Sequence, residues 1–240
     1  VKDVLSFQQI HPGVIVQPDI NLFRELKMRL LNGTHSLACG LAVLAGEPTV
    51  RGAMENEYLA TYIRNLMLAD LLPGIPYPVD EKMGQRFGMQ VLDRFRNPAV
   101  EHRWLAITLN YSAKLRMRVV PDLLHYYERF KAVPQYVALG FAAYVQFMRG
   151  TRQDGGKWYG EANGQEYLIQ DEQAGYFADL WQRPGAVVQA ALSSQALWGT
   201  DLTVLPGFAD SVARYLQQIQ ADGAAATLAT ILNKTQKATA

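Results

Sequence analysis

Lys27, Asn32 and His35 fall within nine consecutive residues, in the run Lys27-Met-Arg-Leu-Leu-Asn32-Gly-Thr-His35-Ser36. No other stretch sets so many chemically able side chains among so many core-forming ones. A lysine partly stripped of water has a lowered pKa and serves as a general acid or base. An asparagine amide donates a hydrogen bond to an oxygen that gains negative charge. A histidine orients a hydroxyl or shares the proton. Together they suit proton transfer at an alcohol or a carbonyl. On a continuous α-helix, Lys27 and His35 differ by about 80° in azimuth and roughly 12 Å in rise. Asn32 then lies about 140° from Lys27, so the trio forms no tight stripe. The spacing permits convergence, more readily if Asn32-Gly33 bends the helix. Equally, a lysine on an amphipathic helix is commonly solvated, and Asn-Gly commonly marks a turn.

The element that would position this trio is a long apolar helix. Leu22, Leu26, Leu30, Leu37, Leu41 and Leu44 recur at helical spacing. Asp19 or Asn21 supplies the N-cap, and Glu25 suits the positive end of the helix dipole. Gly46 is the expected C-cap, with Pro48 just beyond. Further helices are expected over 50–72, 79–95, two segments within 100–132, 133–147, 174–181, 187–192, 208–219 and, weakly, 224–232. Val14–Val16 reads as a short strand and Arg149–Gly156 as a flexible link. Asn163-Gly164 between two aromatic runs signals a β-hairpin near 157–169. The fold class is therefore mainly α, a multi-helix domain with one small β-hairpin.

At 240 residues and 49% hydrophobic, the chain can bury a full core. Its net charge of +1, from 23 basic and 22 acidic residues, gives no broad attraction for nucleic acid or an anionic membrane. No apolar run is long enough to span a bilayer, and Val1–Ser6 has no signal-peptide pattern. The lone Cys39 fits a reducing, cytoplasmic compartment. His11, His35, His102 and His125 lack metal-ligand spacing, so no metal is expected. Gly-x-Ser-x-Gly is absent, which disfavours hydrolase chemistry. A strand followed by Gly-x-Gly-x-x-Gly is absent too, which leaves the cofactor-binding residues unknown. Lys114, Arg116 and Arg118 form a basic patch within Ser112–Arg118. Such a patch is solvated by default, and it also pairs well with a carboxylate.

Three ordered blocks carry a resemblance that extends over nearly the whole chain. They are Phe23-Arg-Glu-Leu-Lys-Met-Arg-Leu-Leu-Asn-Gly-Thr-His-Ser36, Phe95-Arg-Asn-Pro-Ala-Val-Glu-His-Arg-Trp104 and Leu197-Trp-Gly-Thr-Asp-Leu-Thr-Val-Leu-Pro-Gly207. They resemble the long-chain polyol and sugar-acid dehydrogenases, the mannitol dehydrogenase family, and most of all its tagaturonate reductase branch. The resemblance implies a helical substrate and catalytic domain over 21–240. Residues 1–20 would then be a remnant of the linker and strand leaving a missing N-terminal nucleotide-binding domain. The absence of an initiator methionine at Val1 fits that expectation.

By the same resemblance, Lys27 donates a proton to a keto oxygen and accepts it in reverse, Asn32 hydrogen-bonds the developing alkoxide, and His35 orients a neighbouring hydroxyl. Setting Asn97-Pro98 against the same dipeptide in the polyol dehydrogenases brings Lys114 onto a substrate-contacting lysine. The arginine of those relatives falls on Ala106, and Arg103 is the nearby substitute; this departure favours an acidic substrate. The implied partners are a small sugar-acid substrate and the chain's own N-terminal Rossmann domain, which would hold most of the NAD. No nucleic acid or membrane is implied. The implied activity is hydride transfer between NADH and a keto sugar acid. The alternatives are a fructuronate reductase, a mannitol dehydrogenase, or a helical interaction module with no activity of its own.

Overall fold

The computed structural model describes residues 9, 10, 14, 16–183 and 185–239, the side chains of 234–239 excepted. The strand expected at Val14–Val16 includes Ile15 and so lies outside the continuously described residues.

The long helix forms, in three parts. They are α1 (Asn21–Leu26), a π-helical turn (Lys27–Gly33) and α2 (Thr34–Leu44). Neither Asp19 nor Asn21 is the cap: Ile20 holds that position without a side-chain hydrogen bond, and the Asp19 carboxylate instead accepts the Asn21 N–H at 2.8 Å in a turn just before the helix. Gly46 closes the far end at φ +84°, donating to Val43 O, while Glu47 N–H reaches Ala42 O. This crossed pair is a Schellman motif, and its left-handed residue is why glycine stands there.

The helix expected over 50–72 breaks at Asn56, whose extended backbone and side-chain cap start a new helix. The segment is α3 (Val50–Glu55), α4 (Glu57–Asn65), a second π turn (Leu66–Leu71) and α5 (Leu72–Gly74). After α6 (Glu81–Phe95), three helices fill the stretch where two were expected: α7 (Trp104–Ile107), α8 (Tyr111–Arg118) and α9 (Val120–Phe130). The basic segment is thus itself a helix. Its first turn is capped from afar, because Asp171 accepts from Ser112 N–H at 2.7 Å and from Ser112 Oγ at 2.8 Å. The remaining helices are α10 (Gln135–Phe147), α11 (Ala174–Trp181), α12 (Val187–Ser193), α13 (Gln195–Trp198), α14 (Phe208–Asp222) and α15 (Ala224–Thr239).

The hairpin is present as β2 (Lys157–Ala162) and β3 (Gln165–Ile169), joined at Asn163-Gly164, where both residues have positive φ. The Arg149–Gly156 link contains a further strand, β1 (Arg152–Asp154), so the sheet is three-stranded and antiparallel, in the order β1-β2-β3. All three residues of β1 are exposed. Backbone pairing and the bidentate Arg152–Glu166 contact, at 2.7 and 3.0 Å, hold it, and neither leaves an apolar pattern.

Two helices form the centre. In α2, ten of eleven residues are buried, and in α10, ten of thirteen. A helix that is apolar all round must be wrapped on every side. The two cross at Gly140, where a Cβ would lie 2.7 Å from Leu37 and 2.9 Å from the Tyr62 hydroxyl. A second close approach sets Gly40 against Tyr111, whose hydroxyl accepts the Gly40 N–H at 3.1 Å. That contact fixes α8 across α2 and so sets the floor of the candidate site.

Candidate active site

The π turn changes the geometry of the trio. Its i→i+5 hydrogen bonding winds more residues into each turn than an α-helix does, so residues five apart stack nearly above one another. Lys27 and Asn32 therefore share a face, and His35 follows three residues on. The expected 140° separation does not hold, because it assumed α winding throughout. Burial deepens along the stripe: Lys27 is exposed, Asn32 is half-buried, and His35 is 8% exposed. Lys27 has no hydrogen bond or ion pair among the described residues. The Asn32 side-chain amide has only a weak contact, 3.9 Å from Met28 Sδ, and the Asn32 backbone carbonyl accepts from Ser36 Oγ at 2.8 Å.

His35 stacks on Phe95 with ring centroids 4.2 Å apart, and it meets His102 and Trp104 edge-on at 5.2 and 5.8 Å. Burial, with the charges of His102 and Arg118 nearby, lowers its pKa to about 3. It is a neutral hydrogen-bonding group at any ordinary pH. Its Nε2 has no partner among the described residues.

Lys114 lies on α8, which packs on the π turn and on α2, and Arg103 lies between His102 and Trp104, whose rings meet His35. Lys114 Nζ donates to Ile107 O at 3.0 Å, at the end of α7. One turn along the same face of α8, Arg118 Nη1 donates to Ser36 Oγ at 3.1 Å. The Arg118 carbonyl lies 3.4 Å from where a Cβ on Gly33 would be, so α8 lies directly on the π turn. Burial lowers the pKa of Lys114, and the Arg118 charge lowers it further; burial also lowers that of Arg118. Neither cation has a carboxylate partner among the described residues. Arg103 stays at the surface, bonded to Glu101 at 3.0 Å. Ala106 is exposed on α7. Arg118 was legible only as a member of a basic patch. Its i,i+4 spacing from Lys114 is the signal that separates it from Arg116, which instead reaches Ala196 O at 3.3 Å.

A buried network joins these elements from behind. Arg29, inside the π turn, meets Glu25 at 3.0 Å, Asp122 at 3.3 Å and the Met117 carbonyl at 2.9 Å. Burial holds the Asp122 carboxyl well above its usual range, and the Arg29 charge pulls it back down. Cys39, beneath Ser36, donates to the Ser36 carbonyl at 3.4 Å, and burial pushes its thiol up to about 12. It is packing, not a nucleophile. No cluster among the described residues could hold a metal ion, and no described helix is long and apolar enough to cross a membrane. The sheet is antiparallel, and no described strand enters a helix through a glycine-rich turn. These residues do not fit a dinucleotide.

The fold, mainly helical with a small antiparallel sheet, is shared with two solved structures. It resembles Pseudomonas fluorescens mannitol 2-dehydrogenase, solved as a ternary complex with NAD and D-mannitol, with TM-score 0.78 and 24% identity over 91% of this chain and 42% of that one. It also resembles substrate-free D-sorbitol dehydrogenase, with TM-score 0.68 and 22% identity over 90% of this chain and 42% of that one. Residues 19–220 match the mannitol dehydrogenase C-terminal domain, and the chain belongs to that family. The altronate oxidoreductase of Yersinia enterocolitica is 31% identical over 94% of this chain and 46% of its own length. That of Halalkalibacterium halodurans is 33% identical over 88% of this chain and 43% of its own length. The chain thus spans about half the length of the curated relatives it matches.

Proposed function

We propose that this chain is the substrate-binding and catalytic half of an NAD-dependent tagaturonate reductase (altronate oxidoreductase), with an N-terminal Rossmann half holding the NAD. The observation that carries this reading is the half-buried pair Lys114 and Arg118, without an acidic partner, beside the Lys27–His35 stripe. A neutral polyol gives such a pair nothing to neutralise, whereas a sugar acid does. The names of the altronate oxidoreductase relatives agree with it.

In this reading, as the keto carbon is reduced, negative charge grows on its oxygen. Lys27 Nζ gives that oxygen a proton, and takes it back in the reverse direction. The Asn32 amide donates a hydrogen bond to the same oxygen. His35, held neutral and flat against Phe95, orients the adjacent hydroxyl. Lys114 holds the acidic end. Arg103 is a rim contact at most, since Glu101 already engages it. The Rossmann half would complete the desolvation of Lys27, which this chain leaves exposed. In the full-length protein, NADH oxidation with tagaturonate, fructuronate and fructose side by side should show the highest kcat/KM for tagaturonate. A preference for fructose would sink the assignment.

A further inference from the structure

We propose that Arg118 is the specificity-determining residue of this site, forming with Lys114 a two-cation clamp for the carboxylate of the substrate. The inference rests on the sugar-acid reading above and names the residue that enforces it.

The geometry is specific. Arg118 spends one N–H of Nη1 on Ser36 Oγ, and its other guanidinium N–H groups have no acceptor among the described residues. The Nε/Nη2 edge is the planar fork that matches a carboxylate. Lys114 spends one N–H on Ile107 O and keeps the others. The two cations sit at i and i+4 on α8, and burial disfavours the charge of both. Like charges held this way repel, and a bound anion relieves the repulsion. Their position is fixed, not incidental. Asp171 caps the start of α8, Arg29 grips its end through the Met117 carbonyl, and Ser36 aims Arg118. Ser36 also bonds back to the Asn32 carbonyl, so the residue that aims the clamp lies one position from His35 and four from Asn32. A carboxylate held at Arg118 would thereby hold the sugar chain in register with the trio.

The test uses the full-length protein with tagaturonate, fructose and a ketose phosphate as substrates. Arg118→Met should lower the ratio of kcat/KM for tagaturonate over fructose by about 10- to 100-fold, the range for a lost charge-assisted hydrogen bond. The change should lie mainly in KM for the acid. Arg118→Lys should recover part of the ratio, because charge remains while the fork is lost. If Arg118→Met does not fold, Arg118→Gln takes its place, keeping a donor for Ser36 without the charge; the same fall in ratio is expected. An equal loss on acid and ketose would make Arg118 a structural brace and overturn the proposal. So would an unchanged ratio, or a wild-type preference for the ketose phosphate over the acid. A wild type that prefers fructose would fail at the earlier step, and thereby be distinguished from failure of the clamp alone.

Discussion

The two π turns, Lys27–Gly33 and Leu66–Leu71, pack against each other and depart from α winding in the same way. They present their polar groups oppositely. The first turns Lys27 and Asn32 outward, with Lys27 unpartnered among the described residues. The second turns Asp70 inward, 6% exposed, where one carboxylate oxygen accepts from Tyr136 N–H at 2.7 Å and Val137 N–H at 2.9 Å. Those amides open α10, whose own cap residue, Pro134, has no side-chain oxygen to offer. Asp70 is a cap supplied from another helix. A π turn re-aims a side chain. Whether that side chain then serves chemistry or architecture depends on whether the fold already supplies its partner.

The largest expected effect tests the outward turn. Lys27→Ala in the full-length protein should cut turnover by about 10²–10⁴-fold, as loss of a general acid does. Its melting temperature and NADH binding should match wild type. Near-normal turnover would remove the chemical half of the contrast.

Arg29 blurs the contrast, because it belongs to the first turn yet points inward. Arg29→Met should destabilise by about 3–5 kcal/mol, the usual cost of orphaning a buried ion-pair partner. Denaturant unfolding measures it. A loss under 1 kcal/mol would show that Asp122 has already neutralised itself by taking up a proton.

The smallest effect belongs to the inward turn. Asp70→Ala should cost about 1–3 kcal/mol, from two buried N–H groups left without an acceptor. Asp70→Asn keeps an acceptor and isolates the charge. Burial raises the Asp70 carboxyl to about 7, against the pull of its two backbone hydrogen bonds. A group raised above its unfolded value, near 4 for Asp, stabilises fully below that value and loses the contribution as pH climbs through about 7. Wild type should therefore lose melting temperature relative to Asp70→Asn between about pH 4 and 7. A flat difference would place the carboxylate in a wetter setting than the structure shows.

Helix by helix, the chain was largely legible, because apolar spacing is written locally. The leucines from Leu22 to Leu44 mark the central helix, and Asn163-Gly164 marks its hairpin by turn chemistry alone. The π turn was not legible, since apolar steps of three and four read equally well with a few residues wound wider. The helix of the basic segment was missed for a different reason. Ser112–Arg118 has few apolar residues of its own, and its cap comes from Asp171, 59 positions away. Of the site, Lys27, Asn32 and His35 stood out by type and spacing and Lys114 as part of a basic patch, and family resemblance supplied their roles. Arg118 needed the crossing of α8 over α2, which Gly40 and Tyr111 permit and no local pattern announces.

The small sheet has a bearing on the order in which the protein can be made. Asn163, at its tip, donates to the Leu44 carbonyl across 119 positions and finishes the helix that carries His35. Asp171, just past its last strand, starts the helix that carries Lys114 and Arg118. During synthesis both helices emerge early and wait. The Asn163 and Asp171 contacts cannot form until those residues have been made, and closing loops of that length costs entropy that the contacts must offset. The sheet is thus a clasp that ties the ends of both site helices to a part of the chain made well after them.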